Sequence, residues 1–382
     1  MSEYIPFEIQ IEIIKRLPAK SAVKFRLVSK PWNSYIGSSE FIIAHHHCNI
    51  HRYPHRLLAW CKDPIEIYDD RYATVFDDAT FYQQDFTAKA PRLVKLLRDS
   101  RVIDCSFGLV CSYDYLETDI AILSNPLIKK SLVVPLPISS HTKVIGFGVC
   151  PVTLDPTIVN ISHGDLLHSL PWEVEVFTLS SGTWKRLISS NLPRKTVNLQ
   201  SSEQCTQVII DGFIYWDACE REVVAKETHP RNVNLIVSFD MATHEFEVID
   251  LPDILSHPFY MNLSKIRESL AVIEYIRYSM TDVCAVWMMK DIVTKSFTKL
   301  YTIKAPSPSS KMVLGSRRSG EPIMETHYEG EKAAILEVYE PCSEHITKLG
   351  IFGEDCSFFV SSYMETLFLL DQADCHIDYD SD

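Results

Sequence analysis

Apolar side chains fall at helical spacing over the first 44 residues. Ile9, Ile13 and Leu17 recur every four residues with Ile14 beside them, which predicts one helix with a single apolar stripe. Pro6 suits the first turn, Glu8 follows where the helix dipole favours an acid, and Pro18 ends the element. Val23, Leu27 and Val28 predict a second helix within Lys20 to Ser29. Ser29 is the expected N-cap, before Pro31, of a third helix that carries Trp32, Tyr35 and Ile36. Three short helices bury little core, so this unit is expected to lean on a partner or a neighbouring domain.

From about residue 57 the period changes to two. Alternating runs such as Val174-x-Val176 and Leu235-x-Val237-x-Phe239 are each followed by a short polar turn and a second apolar run. Phe177 and Trp184 are seven apart, as are Phe239 and Phe246, and Tyr339 and Ile346; Met289 and Phe297 are eight apart. Leu123, Phe177, Phe239, Met289 and Tyr339 anchor successive hairpins at steps of 54, 62, 50 and 50. Ile65–Tyr68 with Val75-Phe76 is a candidate for one earlier unit. A hairpin recurring every ~50 residues predicts a kelch-like β-propeller of about six blades. The same alternation suits a pair of β-sandwiches, but these need no constant step. The expected division is an all-α domain over 1–44, a linker over 45–56, the all-β domain over 57–372 and an acidic tail over 373–382.

Composition agrees with a folded chain: of 382 residues, 46% are hydrophobic and 23% charged. The net charge of −13 is unevenly spread. Residues 1–44 carry six Lys/Arg against four Asp/Glu, and the rest carries 31 against 46. A large part with that balance repels phosphate, so a nucleic-acid partner is not expected. No run approaches the ~18–20 apolar residues of a membrane span, and Met1–Pro6 lacks the character of a signal peptide. Eleven cysteines without a C-x-x-C pair suggest reduced thiols in the nucleus or cytoplasm.

Candidate chemistry is sparse. His45-His46-His47-Cys48 with His51 and His55 is the most metal-like cluster, but the cysteine lacks a cysteine partner, so a solvated linker is expected instead. Gly146-Phe147-Gly148 continues without the later residues of a phosphate cradle, and no G-x-S-x-G elbow occurs. Cys105, Cys111, His163 and His168 have no spacing that separates nucleophile and base from core thiols and ordinary imidazoles. Neither a catalytic constellation nor a cofactor is expected.

The run Ile5-Pro6-Phe7-Glu8, Arg16-Leu17-Pro18-Ala19-Lys20-Ser21 and Val28-Ser29-Lys30-Pro31-Trp32 closely resembles an F-box. Ile5 stands where Leu is usual and Ala19 where Val is usual. Gly108-Leu109-Val110-Cys111, Asn125-Pro126, Gly146-Phe147-Gly148, Asp211–Trp216, Val286–Lys290 and Tyr363–Leu367 resemble the F-box-associated domain of the large plant family. Ser106-Phe107 and Thr157–Val159 depart from its usual strings. The resemblance implies a non-catalytic substrate receptor of an SCF-type cullin–RING ubiquitin ligase. It implies a Skp-type adaptor as direct partner, cullin and RING subunits through it, and a protein substrate. Carried over by position, the adaptor contacts are Ile5, Pro6, Ile9, Ile13, Leu17, Pro18, Val28 and Trp32. The long insertions at Leu187–Thr206 and Glu220–Asn234 are candidate receptor loops. A propeller that binds a small ligand or glycan without a ligase role is the alternative. A propeller enzyme is a third reading, for which no residue set speaks.

Overall fold

The computed structural model describes residues 5–50, 52, 55–65, 69–78, 88–97, 99–114, 120–138, 142–164, 170–188, 192–200, 207–222, 231–256, 260–278, 281–291, 294–304, 309–328 and 330–373. The chain begins with four helices, not three: α1 (Phe7–Ile14), α2 (Ala19–Phe25), α3 (Lys30–Ile36) and α4 (Ser39–Asn49). Ser29 caps α3 as its sequence implies, its Oγ accepting the Trp32 N–H at 3.4 Å. Ser38 does the same for α4 through Phe41.

The fourth helix corrects the expected linker. Its histidines suggest solvent, yet His45, His46 and Asn49 are buried. Asn49 Nδ2 donates to the Lys15 carbonyl at 2.8 Å, and His45 Nε2 donates to that of Leu17 at 2.8 Å. These bonds satisfy carbonyls that the end of α1 leaves without partners. His45 and Asn49 of α4 are thus spent inward, on another helix's end.

The remainder is a propeller of six sheets, and the sandwich alternative is excluded. Blade II runs from Ser100–Ser106 to Lys130–Pro135, blade III from Thr142–Val149 to Thr183–Arg186, blade V from Tyr260–Ile266 to Ser296–Lys304 and blade VI from Ser309–Ser316 to His345–Gly353. In blade IV, Val197–Leu199 and Val208–Ile210 share the inner edge and both pair with Phe213–Glu222. Blade I joins the two ends of the chain, since Phe359–Tyr363 pairs with Arg56–Lys62, which in turn pairs with Asp70–Phe76. The innermost strands neighbour one another around a closed ring. The ring leaves the inner edges short and protected.

The spaced aromatic pairs are cross-strand partners: Phe177 faces Trp184, Phe239 faces Phe246, Met289 faces Phe297 and Tyr339 faces Ile346. The earliest unit differs from expectation. Ile65 is an exposed turn residue, residues 66–68 lie outside the described ones, and Val75 pairs with Leu57.

The helical domain and the propeller share one hydrophobic core. Ile14, Ala22, Trp32, Ile36, Phe41 and Ile42 cluster with Leu109, Leu123, Phe147 and Phe177 of blades II and III, and with Leu367–Leu370 after the last strand. His46 is the polar exception within it, its ring 5.0 Å from that of Phe107 and 5.6 Å from that of Phe368. The helices therefore sit on the face where the inner strands turn outward.

Candidate functional site

Helix α1 is apolar on two sides. Phe7, Ile11 and Ile14 pack inward. Ile9 and Ile13, at i and i+4, form a second row exposed at 52% and 50%, and Ile5, just before the helix, is 49% exposed. Leu27 and Val28, in the turn after α2, are exposed at 89% and 64%. The stripe that the spacing suggests is therefore split, with Ile9 and Ile13 outward and Ile14 inward. A domain of four short helices has too few facing elements to cover both rows.

The eight residues singled out from the sequence fall into two groups. Ile5, Pro6, Ile9, Ile13, Pro18 and Val28 are exposed. Trp32 is buried, its ring 4.6 Å from that of Phe7, and Leu17 is half-buried against the shared core. Leu27 is exposed as much as any of them and was missed, because helical spacing placed it on a helix face rather than in a turn.

The other candidates are structural. Cys105 and Cys111 are fully enclosed, and burial pushes both thiols far above their ordinary range, against nucleophilic use. His163 is buried, which holds its pKa down, and His168 lies outside the described residues. Among the described residues no group of three or more His, Cys, Asp or Glu is placed to hold a metal ion. Of the two insertions, 189–191, 201–206 and 223–230 lie outside the described residues. Part of the first is not a loop, since Val197–Leu199 is an inner strand, and Arg194 grips Glu220 with two hydrogen bonds of 2.8 and 2.6 Å.

Along the propeller axis runs a cavity of about 620 Å³. Its walls include Asp104 of blade II, Gln207 before blade IV, Ser264 and Lys265 of blade V, and Ser361 of blade I. Asp104 is 6% exposed. Gln207 Nε2 donates to it at 3.1 Å, Ser361 Oγ at 3.4 Å and the Cys105 N–H at 2.6 Å. Burial raises its carboxyl to about 6.

A helical domain with an unpartnered apolar row, fused to a closed propeller with an axial cavity, defines a class of binding and docking proteins. Comparison with known proteins gives the family. Residues 3–43 match the F-box domain, and residues 74–373 match the F-box associated beta propeller domain. The chain belongs to this family of F-box proteins with a propeller. In that family the F-box generally binds Skp-type adaptors, and the proteins are generally non-catalytic receptors. F-box protein CPR1 of Arabidopsis thaliana is 26% identical over 332 residues, covering 79% of this chain and 73% of that protein. F-box protein At4g19940 of the same plant is 22% identical over 374 residues, covering 91% and 86%. Among solved structures, TolB from Acinetobacter baumannii aligns with a TM-score of 0.44 at 11% identity, over 85% of this chain and 73% of that one.

Several motif residues have direct structural reasons. Gly108 adopts φ +77°, and a Cβ there would stand 2.1 Å from the Met364 carbonyl oxygen. A Cβ on Gly146 would stand 2.4 Å from the ring of Trp216. Asn125 holds the segment after the last strand through its carbonyls at Thr366 and Phe368.

Proposed function

We propose that this chain is the substrate-recognition subunit of an SCF-type cullin–RING ubiquitin ligase, working in the nucleus or cytoplasm. The F-box docks on a Skp-type adaptor, which links it to the cullin and RING subunits, and the propeller recruits a protein target. The observation that carries this reading is the exposed row of Ile9 and Ile13, with Ile5 just before the helix, beside Leu27 and Val28. Covering such a row against adaptor helices removes apolar surface from water in the helix-in-groove manner. The chain's part in ubiquitin transfer is proximity, holding target lysines near a charged conjugating enzyme. The rigid joint supports this role, because a core shared by both domains fixes the propeller's direction relative to the adaptor.

The test is co-purification of a Skp-type adaptor with the wild-type chain and with Ile9→Glu/Ile13→Glu. Loss of adaptor from a variant with an unchanged melting temperature supports the reading. Undiminished capture by that variant overturns it.

A further inference from the structure

The axial cavity has a chemistry that adaptor docking leaves unused. Its volume of about 620 Å³ lies within the ~300–1,000 Å³ range of ligand pockets. The carboxylate of Asp104 forms part of its wall, and all three of its hydrogen-bond donors are neutral. A carboxylate has about four lone-pair sites, so three donors leave acceptor capacity unused. No cation among the described residues stands within ion-pair distance of Asp104. The charge that acts on it is Lys265 of blade V, which stands opposite blade II in a ring of six. That ammonium is itself engaged by Glu268 at 2.7 Å. Beside Lys265, Ser264 belongs to the same lining, is 2% exposed, and its buried hydroxyl has no hydrogen-bond partner.

We propose that the axial channel is a binding site for an organic cation, a primary ammonium or guanidinium group that docks against Asp104. Such a group supplies the charge that Asp104 lacks. A lysine or arginine side chain presented by a bound polypeptide and a free small amine share this chemistry.

Binding to the full chain by titration calorimetry separates the outcomes. The probes are the peptide acetyl-Gly-Arg-Gly-amide, its neutral citrulline counterpart, n-butylguanidinium and n-butylurea. A cationic probe is expected to bind at least tenfold more tightly than its neutral counterpart. Asp104→Asn, which keeps an acceptor for Ser361 and Cys105, is expected to abolish that preference. Lys265→Gln removes the facing positive charge and is expected to tighten binding at least twofold. Preference by the peptide alone supports a polypeptide side chain as occupant; equal preference by n-butylguanidinium supports a free cation. Absence of any preference overturns the proposal, as does a folded Asp104→Asn that retains it. If Asp104→Asn does not fold, Lys265→Gln decides, and no gain in affinity counts against the site. The assay contains no adaptor, so its outcome is separate from that of the ligase reading.

Discussion

Asn125 donates a hydrogen bond of 2.9 Å from Nδ2 to the carbonyl of Phe368, 243 residues further along the chain. The same amide donates to the Thr366 carbonyl at 3.1 Å, and its Oδ1 accepts the Leu127 N–H at 3.1 Å. One buried side chain thereby fastens the outer hairpin of blade II to the segment that follows the closing strand. That segment packs under the F-box helices through Leu367–Leu370, so the bond also holds the joint between the domains. Asn125→Ala leaves two buried carbonyls without donors and is expected to cost about 2–4 kcal/mol. The urea midpoint checks this. Hydrogen exchange in α4 is expected to speed up, because its footing loosens with the segment.

Gly108 packs against the same segment. Replacing it with Ala adds left-handed backbone strain and drives a methyl into the Met364 carbonyl. The expected loss is at least about 2 kcal/mol. A melting temperature unchanged from wild type would contradict the assigned geometry.

Much of this architecture was legible in the sequence, and the failures have physical causes. The hairpins were readable because their partners are local; Phe177 and Trp184 meet across a turn of a few residues. Blade I was not, because Ala59 pairs with Val360 as well as with Ala73, and no local pattern reveals a partner 301 residues away. The His45–His47 run misled for a different reason. Polarity normally indicates solvent, but His45 is consumed by the Leu17 carbonyl, and His46 is buried among aromatic rings. The split of α1 was hidden too, since the spacing shows that Ile9, Ile13 and Ile14 are apolar but not which of them the fold leaves uncovered.

His46 has both ring nitrogens buried without a hydrogen-bond partner. Burial, with the neighbouring His47 and His45 adding to it, lowers its pKa from 6.5 to about 4. The unfolded chain therefore binds the extra proton first, and this site's contribution to stability falls as pH drops from about 6.5 toward 4. His46→Leu fills the same apolar space and is expected to remove that slope, with stability at pH 7 unchanged or raised by about 1 kcal/mol. Denaturant midpoints across pH 4–7 measure it. A slope identical to that of wild type would rule out His46 as its source.

Glu325 gives the opposite sign. Its Oε1 accepts the Cys356 N–H at 2.6 Å, while Oε2 is buried without a partner. Burial raises its pKa from 4.5 to about 7, so the folded state binds the extra proton between those values. Stability from this site is fully present below about pH 4.5 and is lost as pH rises through about 7. Glu325→Gln keeps the acceptor for Cys356 without the charge. It is expected to be more stable than wild type at pH 8 by roughly 1–3 kcal/mol, with little difference at pH 4. Equal stability of the two proteins at both pH values would show that the carboxyl titrates normally.

Trp32 and Ile13 separate what holds the F-box together from what it offers to a partner. The Trp32 ring lies 4.6 Å from Phe7 and is buried in the shared core, so Trp32→Ala opens a cavity and is expected to cost about 3–5 kcal/mol. Ile13 is half exposed in the free chain, so Ile13→Glu keeps a good helix former on the surface and is expected to shift stability by no more than about 0.5 kcal/mol. Against the adaptor the order reverses in kind. Burying a carboxylate where an apolar anchor docks is expected to cost at least about 2 kcal/mol, roughly a thirtyfold loss of affinity. Paired melting curves and adaptor titrations of the two variants make the comparison. If Ile13→Glu bound the adaptor as tightly as wild type, the exposed row of α1 would not be the docking surface.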